Sequence, residues 1–179
     1  MYKVLSGNDT IRTKIEHPIS PGKFLYLLFD ATHNIKNAYN NWINKGRFVY
    51  PAGFPEFLDD FGTADFNHIR SLYRKEESLP LKAAHKLTME CLNPASIART
   101  SPRHALAVFH ESTPHALQFY DEPGWSVTSQ FVTFMSNLWK ILNVKNPSKG
   151  EYSNLLESDN YIPVQVYMYI SFVQIMSKL

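Results

Sequence analysis

Asp30 ends the apolar run Lys23-Phe24-Leu25-Tyr26-Leu27-Leu28-Phe29, and a helical pattern begins just after it. A carboxylate at the C-terminal edge of a buried strand faces the crevice where open α/β sheets place their ligands. Two kinds of chemistry suit an aspartate there. It can cap the next helix by accepting from a backbone N–H, or it can hold a hard divalent cation, which prefers oxygen ligands. Geometry alone favours the cap and leaves the metal role open. The other reactive residue types are scattered. Of the seven histidines, His104, His110 and His115 are close in sequence but share no helical face, which argues against a metal site there. The single cysteine, Cys91, has no evident partner and reads as a small buried residue. Gly22-Lys23 and Lys149-Gly150 lack the remainder of a phosphate loop, and Asn44-Lys45-Gly46-Arg47 lacks the Asp of a guanine-reading motif. No dinucleotide glycine fingerprint, zinc-helix motif or nucleophile elbow occurs.

The elements around Asp30 can be read from patterning. Lys23 to Phe29, after Pro21-Gly22, has the continuous apolar character of a strand buried on both faces. Thr32 is placed to cap a helix over His33 to Asn44, with Ile35, Tyr39, Trp42 and Ile43 on one face, and Gly46 ends it. Arg47 to Tyr50 suits a short strand, and Pro51 to Thr63, rich in Pro, Gly and Asp, reads as a loop. Asp65 can cap a helix from Phe66 to about Lys75, whose apolar side carries Ile69, Leu72 and Tyr73. Leu79 to Pro94 is less regular. Ser101-Pro102 is a helix start, and Pro114 should break or kink the chain after it. Phe131, Phe134, Met135, Leu138 and Leu142 recur at helical spacing over Val127 to Leu142, with Ser126 or Thr128 as cap.

Composition narrows the classes. The 179 residues are 44% hydrophobic, 14% aromatic and 19% charged, enough apolar surface for a packed core. Eighteen basic against 16 acidic residues leave a net charge of +2, which excludes a strongly basic nucleic-acid arm and an acidic tail. One cysteine excludes a disulfide framework and any cysteine-based zinc cluster. Met1 to Thr13 lacks a signal-peptide core. Tyr161 to Met176 is shorter than a ~20-residue membrane span and is interrupted by Pro163, Gln165 and Gln174, so it reads as a buried helix or strand pair. From residues alone the chain is a small α/β unit joined to a mainly helical body.

Several stretches resemble the transposases of the P-element family, including the THAP-domain transposases. Leu28-Phe29-Asp30-Ala31-Thr32-His33-Asn34-Ile35-Lys36-Asn37, followed by Asn40-Asn41-Trp42, is similar to that family's Phe-Asp-x-x-His-Leu-(Leu/Ile)-Lys-Asn-x-Arg-Asn-Asn segment. Ile15-Glu16-His17-Pro18 resembles its lead-in. His85-Lys86-Leu87-Thr88 and Leu92-Asn93-Pro94 resemble a Pro-Lys-Leu-Thr…His-(Ile/Leu)-x-Pro stretch, and Ala105 to Leu117 the helix after it. Phe131 to Asn143 is similar to a later helix ending in aromatic-Asp-x-Leu-Asn. The resemblance covers His17 to Asn143, and its strength lies in the order and spacing of the motifs.

The resemblance implies the α/β edge of an RNase H-like domain over residues 1–47, followed by a mainly α-helical, GTP-binding insertion domain over 48–179, cut short. It implies DNA cutting and joining by carboxylates that hold two Mg²⁺ ions. Asp30 matches the second of three such carboxylates and is the candidate catalytic and metal-binding residue. Asp9 and Glu16 lie too close before it to be the first, and Glu151 and Glu157 are misplaced for the third. The expectation is a transposase fragment that does not cleave DNA alone. Lys86, in the Lys-Leu-Thr motif, and Asn143 are the candidate GTP contacts. Lys140 stands where the family has Asp; a lysine only donates, whereas a carboxylate accepts two bonds from a guanine edge. Tyr39 stands where the family has Arg, and Asn34 where it has an aliphatic residue. DNA ends are the implied partner, within an oligomer of the full-length protein, in the nucleus and without membrane contact. The alternative is a domesticated module that keeps nucleotide or protein binding without catalysis.

Overall fold

The computed structural model describes residues 14–26, 30–53 and 57–143. β1 (Lys14–Glu16) pairs antiparallel with β2 (Phe24–Tyr26), Ile15 opposite Leu25. The expected strand over 23–29 is thus present as Phe24–Tyr26, and 27–29 lie outside the described residues, as does the apolar stretch 161–176. Helix α1 (Ala31–Lys45) starts directly after Asp30, whose Oδ1 accepts from the Thr32 N–H at 2.8 Å. The cap is therefore Asp30 and not Thr32, because helical backbone already begins at Ala31. Gly46 ends α1 at φ 75°, where a side chain is disfavoured, and its N–H reaches the Trp42 carbonyl. Ile35, Ala38, Tyr39, Trp42 and Ile43 form the buried face.

β3 (Arg47–Gly53) and β4 (Phe57–Asp65) form an antiparallel hairpin, Phe48 opposite Ala64 and Tyr50 opposite Gly62. Residues 57–63 are thus strand, where the sequence reads as loop. The reason is that β4 turns Gly62 and Ala64 inward and Phe61 outward, so its pattern is inverted to the eye. Small residues are needed there: a Cβ on Gly62 would lie 2.9 Å from Val127 Cγ1 and 3.0 Å from the Tyr50 ring.

Asp65 caps α2 (Phe66–Glu76), its Oδ1 accepting from the Asn67 N–H at 2.8 Å. Glu76 at the far end of α2 is 1% exposed and accepts from the N–H groups of Ala83 and Ala84, both at 3.0 Å. That pair of bonds folds the following loop back on the body. α3 (Met89–Leu92) is capped by Thr88; a 3₁₀ turn (Ala98–Thr100) leads to α4 (Pro102–Val108), capped by Ser101. The break after α4 falls at Phe109–Glu111, ahead of Pro114. Pro114 sits in the first turn of α5 (Ser112–Tyr120), where a missing N–H costs no helical bond. α6 (Trp125–Leu142) carries the aromatic stripe, and its N-cap is Gly124. Thr128 does not cap it; the buried hydroxyl accepts from the Asp65 N–H at 3.1 Å and meets His68 Nδ1 at 2.8 Å.

The core lies between α1, the β3–β4 hairpin and α6, with α4 closing it. Trp42 is its centre, its ring 5.0 Å from Phe66, 4.9 Å from Phe131 and stacked at 6.0 Å on Phe109. The architecture is mainly helical with two small two-stranded sheets. Among the described residues no helix is long and apolar enough to cross a membrane.

Candidate functional site: a cation-lined cavity beside helix α3

A cavity of about 450 Å³ opens between the loop before α3, α3 itself and α4. Its walls carry Lys86, Arg103, His85, His104 and His110, with Glu90 the one carboxylate among them. Two cation–imidazole dipeptides, His85-Lys86 and Arg103-His104, supply four of these groups from segments that the packing of α3 on α4 brings together. Lys86 and Arg103 are exposed, so their charges stay fully solvated until an anion arrives. His104 is nearly covered, with its Nε2 4.0 Å from the Glu90 carboxylate, and its Nδ1 is buried without a hydrogen-bond partner. An orphaned ring nitrogen in a cation-lined cavity is a site for a polar ligand, since an unmet buried polar group costs free energy.

His110 forms the boundary with a second cavity of about 280 Å³, lined also by Glu111, Ser136, Trp139 and Lys140. Its Nδ1 accepts from the Ser112 N–H at 3.1 Å and meets the Ser112 hydroxyl at 2.9 Å, while its ring lies edge-on to His85 at 5.3 Å. Burial pulls the His110 pKa below its ordinary value, with the Lys86 and Lys140 charges and His85 adding to the fall and Glu111 opposing it. A proton on Nδ1 would also confront the Ser112 N–H. The unfolded chain therefore binds the proton more readily. This contribution to stability is present above the ordinary histidine value of ~6.5 and is lost as pH falls through the lower folded value. Urea midpoints are expected to fall as pH drops below that range, and His110→Asn, which keeps an acceptor for Ser112, should flatten the dependence. An unchanged slope in the variant would assign the acid sensitivity elsewhere.

The sequence-derived candidates fall in three places. Lys86 lines the first cavity. Asn143 is exposed at the end of α6, its N–H bonded to the Trp139 carbonyl at 2.9 Å, and lines neither cavity. Trp139 and Lys140, from the same segment, line the second cavity, which shares Leu106 and His110 with the first. Lys140 Nζ donates to Glu111 Oε2 at 3.0 Å, and this partner holds the Glu111 carboxyl below its ordinary range. Asp30 is exposed as the cap of α1 and lines neither cavity. Among the described residues no three His, Cys, Asp or Glu side chains gather as metal ligands. One exposed carboxylate, with Oδ1 accepting a backbone bond, does not by itself make a two-metal centre.

Tyr39 is fully buried, and its hydroxyl donates to the Cys91 carbonyl at 2.7 Å. Burial, with Cys91 second, pushes its pKa far above the ordinary value, so it remains a donor. This position is an anchor of α1 on α3 and offers nothing to a phosphate. Cys91 is buried, its Sγ donating to the Thr88 carbonyl at 3.0 Å, and burial raises its thiol pKa.

The volume of this cavity falls in the range of small-molecule sites, and its polar wall is mainly cationic and imidazole. Residues 32–154 match the family described as the TNP-like, GTP-binding insertion domain. The chain belongs to that family, and it is transposase-like. No curated protein matches it in sequence. Its fold is similar to that of a chain in the Drosophila P element transposase strand transfer complex, with a TM-score of 0.63 at 15% identity. That likeness covers 94% of this chain and 43% of the other, so the chain spans less than half of the transposase it resembles.

Proposed function

We propose that the helical domain, matched to its family over residues 32–154, forms the nucleotide-binding insertion of a P-element-type DNA transposase, and that the cavity beside α3 holds GTP. The observation that carries this reading is Lys86. The motif that singles it out in the sequence lies on the wall of a cavity with Arg103 and three imidazoles. Arginine and lysine here offset part of the charge of a triphosphate, and the orphaned His104 Nδ1 offers a bond to it. Asn143 closes the segment whose Trp139 and Lys140 line the adjoining cavity, where the base would lie. By family resemblance bound GTP would help the transposase assemble with its DNA ends; the side chains named here would bind and orient it.

Guanine selectivity is expected to be weak. Lys140 is committed to Glu111, and neither cavity offers an unpaired carboxylate on the α6 side. Calorimetric titration should give GTP and ATP affinities within about threefold of each other, since no bidentate acceptor separates the two bases. A preference for GTP beyond about tenfold, worth ~1.4 kcal/mol, would overturn the assignment of the base to this side.

The segment that ends at Asp30, ahead of α1, is proposed as the edge of an RNase H-like domain, with Asp30 one carboxylate of a Mg²⁺ set that the described residues do not complete. The partner is DNA at transposon ends, in an oligomer and in the nucleus. The chain alone is expected to give no cleavage or strand transfer in Mg²⁺ or Mn²⁺. Activity that Asp30→Ala abolishes would show the set to be complete.

A further inference from the structure

We infer that the face of α2 beside α3 binds a single-stranded nucleic-acid segment, with Arg70 and Arg74 taking phosphates and Met89 giving a base its apolar seat. A cavity of about 240 Å³ between these helices is lined by Arg70, Tyr73, Arg74, Met89, Leu92 and Asn93, and no acidic side chain lines it. Arg70 and Arg74 are one helical turn apart on one face, an arrangement that repels mildly and gains only when an anion bridges it. Arg70 is pre-positioned: its Nη1 donates to Asn67 Oδ1 at 3.1 Å and its guanidinium lies 4.9 Å from the centre of the Phe66 ring. Arg74 is exposed and has no ion-pair partner among the described residues. Lys82 adds a third cation, its Nζ 5.1 Å from the Tyr73 ring centre.

The neighbouring charges are accounted for. Lys75 is engaged by Glu122, and Glu76 is buried and accepts from Ala83 and Ala84. Glu90 lines the other cavity, and Glu77 is exposed at the end of α2. Met89 is 55% exposed, and exposed Asn93 beside it carries both a donor and an acceptor.

The shape selects among anions. The volume is below the ~300–1,000 Å³ that encloses a free small molecule, and the cations are strung along a helix instead of converging. That distribution follows a backbone. An apolar seat beside it suits an unstacked base, which a duplex does not present.

The inference stands on α2 and the outer side of α3; it rests on the proposed DNA partnership, to which it adds a face and a strand state, and does not depend on the GTP cavity. The test is fluorescence anisotropy on the full chain with a labelled mixed-sequence DNA strand of ~12 nucleotides across a salt series. The Arg70→Ala/Arg74→Ala pair should weaken binding by about tenfold or more and reduce the salt slope by about 1.4, from ~0.7 per phosphate contact. Met89→Ala should weaken binding with the slope unchanged. GTP titration should be unaltered in all of these variants, and a thermal melt reports their folding. Arg70→Lys/Arg74→Lys should retain the slope. The inference fails if the alanine pair keeps the parent slope, if a duplex of the same sequence binds as tightly as the strand, or if the parent chain binds neither.

Discussion

Trp42→Ala is expected to remove about 3–5 kcal/mol of folding stability, the range for deleting a large aromatic side chain from a packed interior. The side chain is fully buried, and three aromatic rings from α2, the turn after α4 and α6 meet it. Its indole N–H donates to the Ala64 carbonyl at 3.0 Å, so truncation also leaves an acceptor of β4 unpaired in the interior. Every layer of the domain therefore loses a contact at once. Domains of this size hold only ~5–15 kcal/mol in total, so the variant should be largely unfolded or melt many degrees lower. Urea unfolding followed by far-ultraviolet circular dichroism measures this directly. Trp42→Phe, which keeps ring packing but loses the donor, should fall between the two. A midpoint within error of the parent for Trp42→Ala would mean that the core is centred elsewhere.

Lys86→Ala combined with Arg103→Ala should lower triphosphate affinity by a hundredfold or more. Each charge-assisted bond to phosphate is worth about 1.5–3 kcal/mol, and two such losses exceed ~2.7 kcal/mol even at the low end. Both side chains are exposed on the cavity wall, so the fold should survive their removal. The effect should be equal for GTP and ATP because the phosphates are common to both. Calorimetry with each nucleotide, beside a melt of the same preparation, separates lost binding from lost structure. A folded double variant with parent affinity would remove the cavity from consideration and leave the α6 side as the place to look.

Local features of this protein were readable in its residues. Asp65 and Ser101 cap the helices expected of them, Gly46 ends α1, and Ile35, Tyr39, Trp42 and Ile43 share a buried face because a 3.6-residue period is written in the chain itself. The motif likeness running through Asp30, Lys86 and Asn143 led to the transposase family for the same reason: it is linear. β4 was not readable, because its inward residues are Gly62 and Ala64, whose role is to leave room for Tyr50 and Val127. A small residue required by a distant ring carries no pattern of its own. Tyr39 was legible as part of the apolar face, but only the position of α3 supplies the Cys91 carbonyl to which its hydroxyl donates.

The candidate site divides along that line. Residue order alone pointed to α1, α2, α4 and α6, placed the caps of α2 and α4, and led to the family; it did not show α3 or α5, and it misplaced the caps of α1 and α6. Packing in three dimensions was needed to bring His85, Lys86, Arg103, His104 and His110 to one cavity while Asp30 stands apart as a helix cap. The physical reason is that helix periodicity and capping are set by residues within one turn of each other, whereas a cavity is set by how α3 and α4 pack. That packing depends on side-chain volumes far apart in the chain.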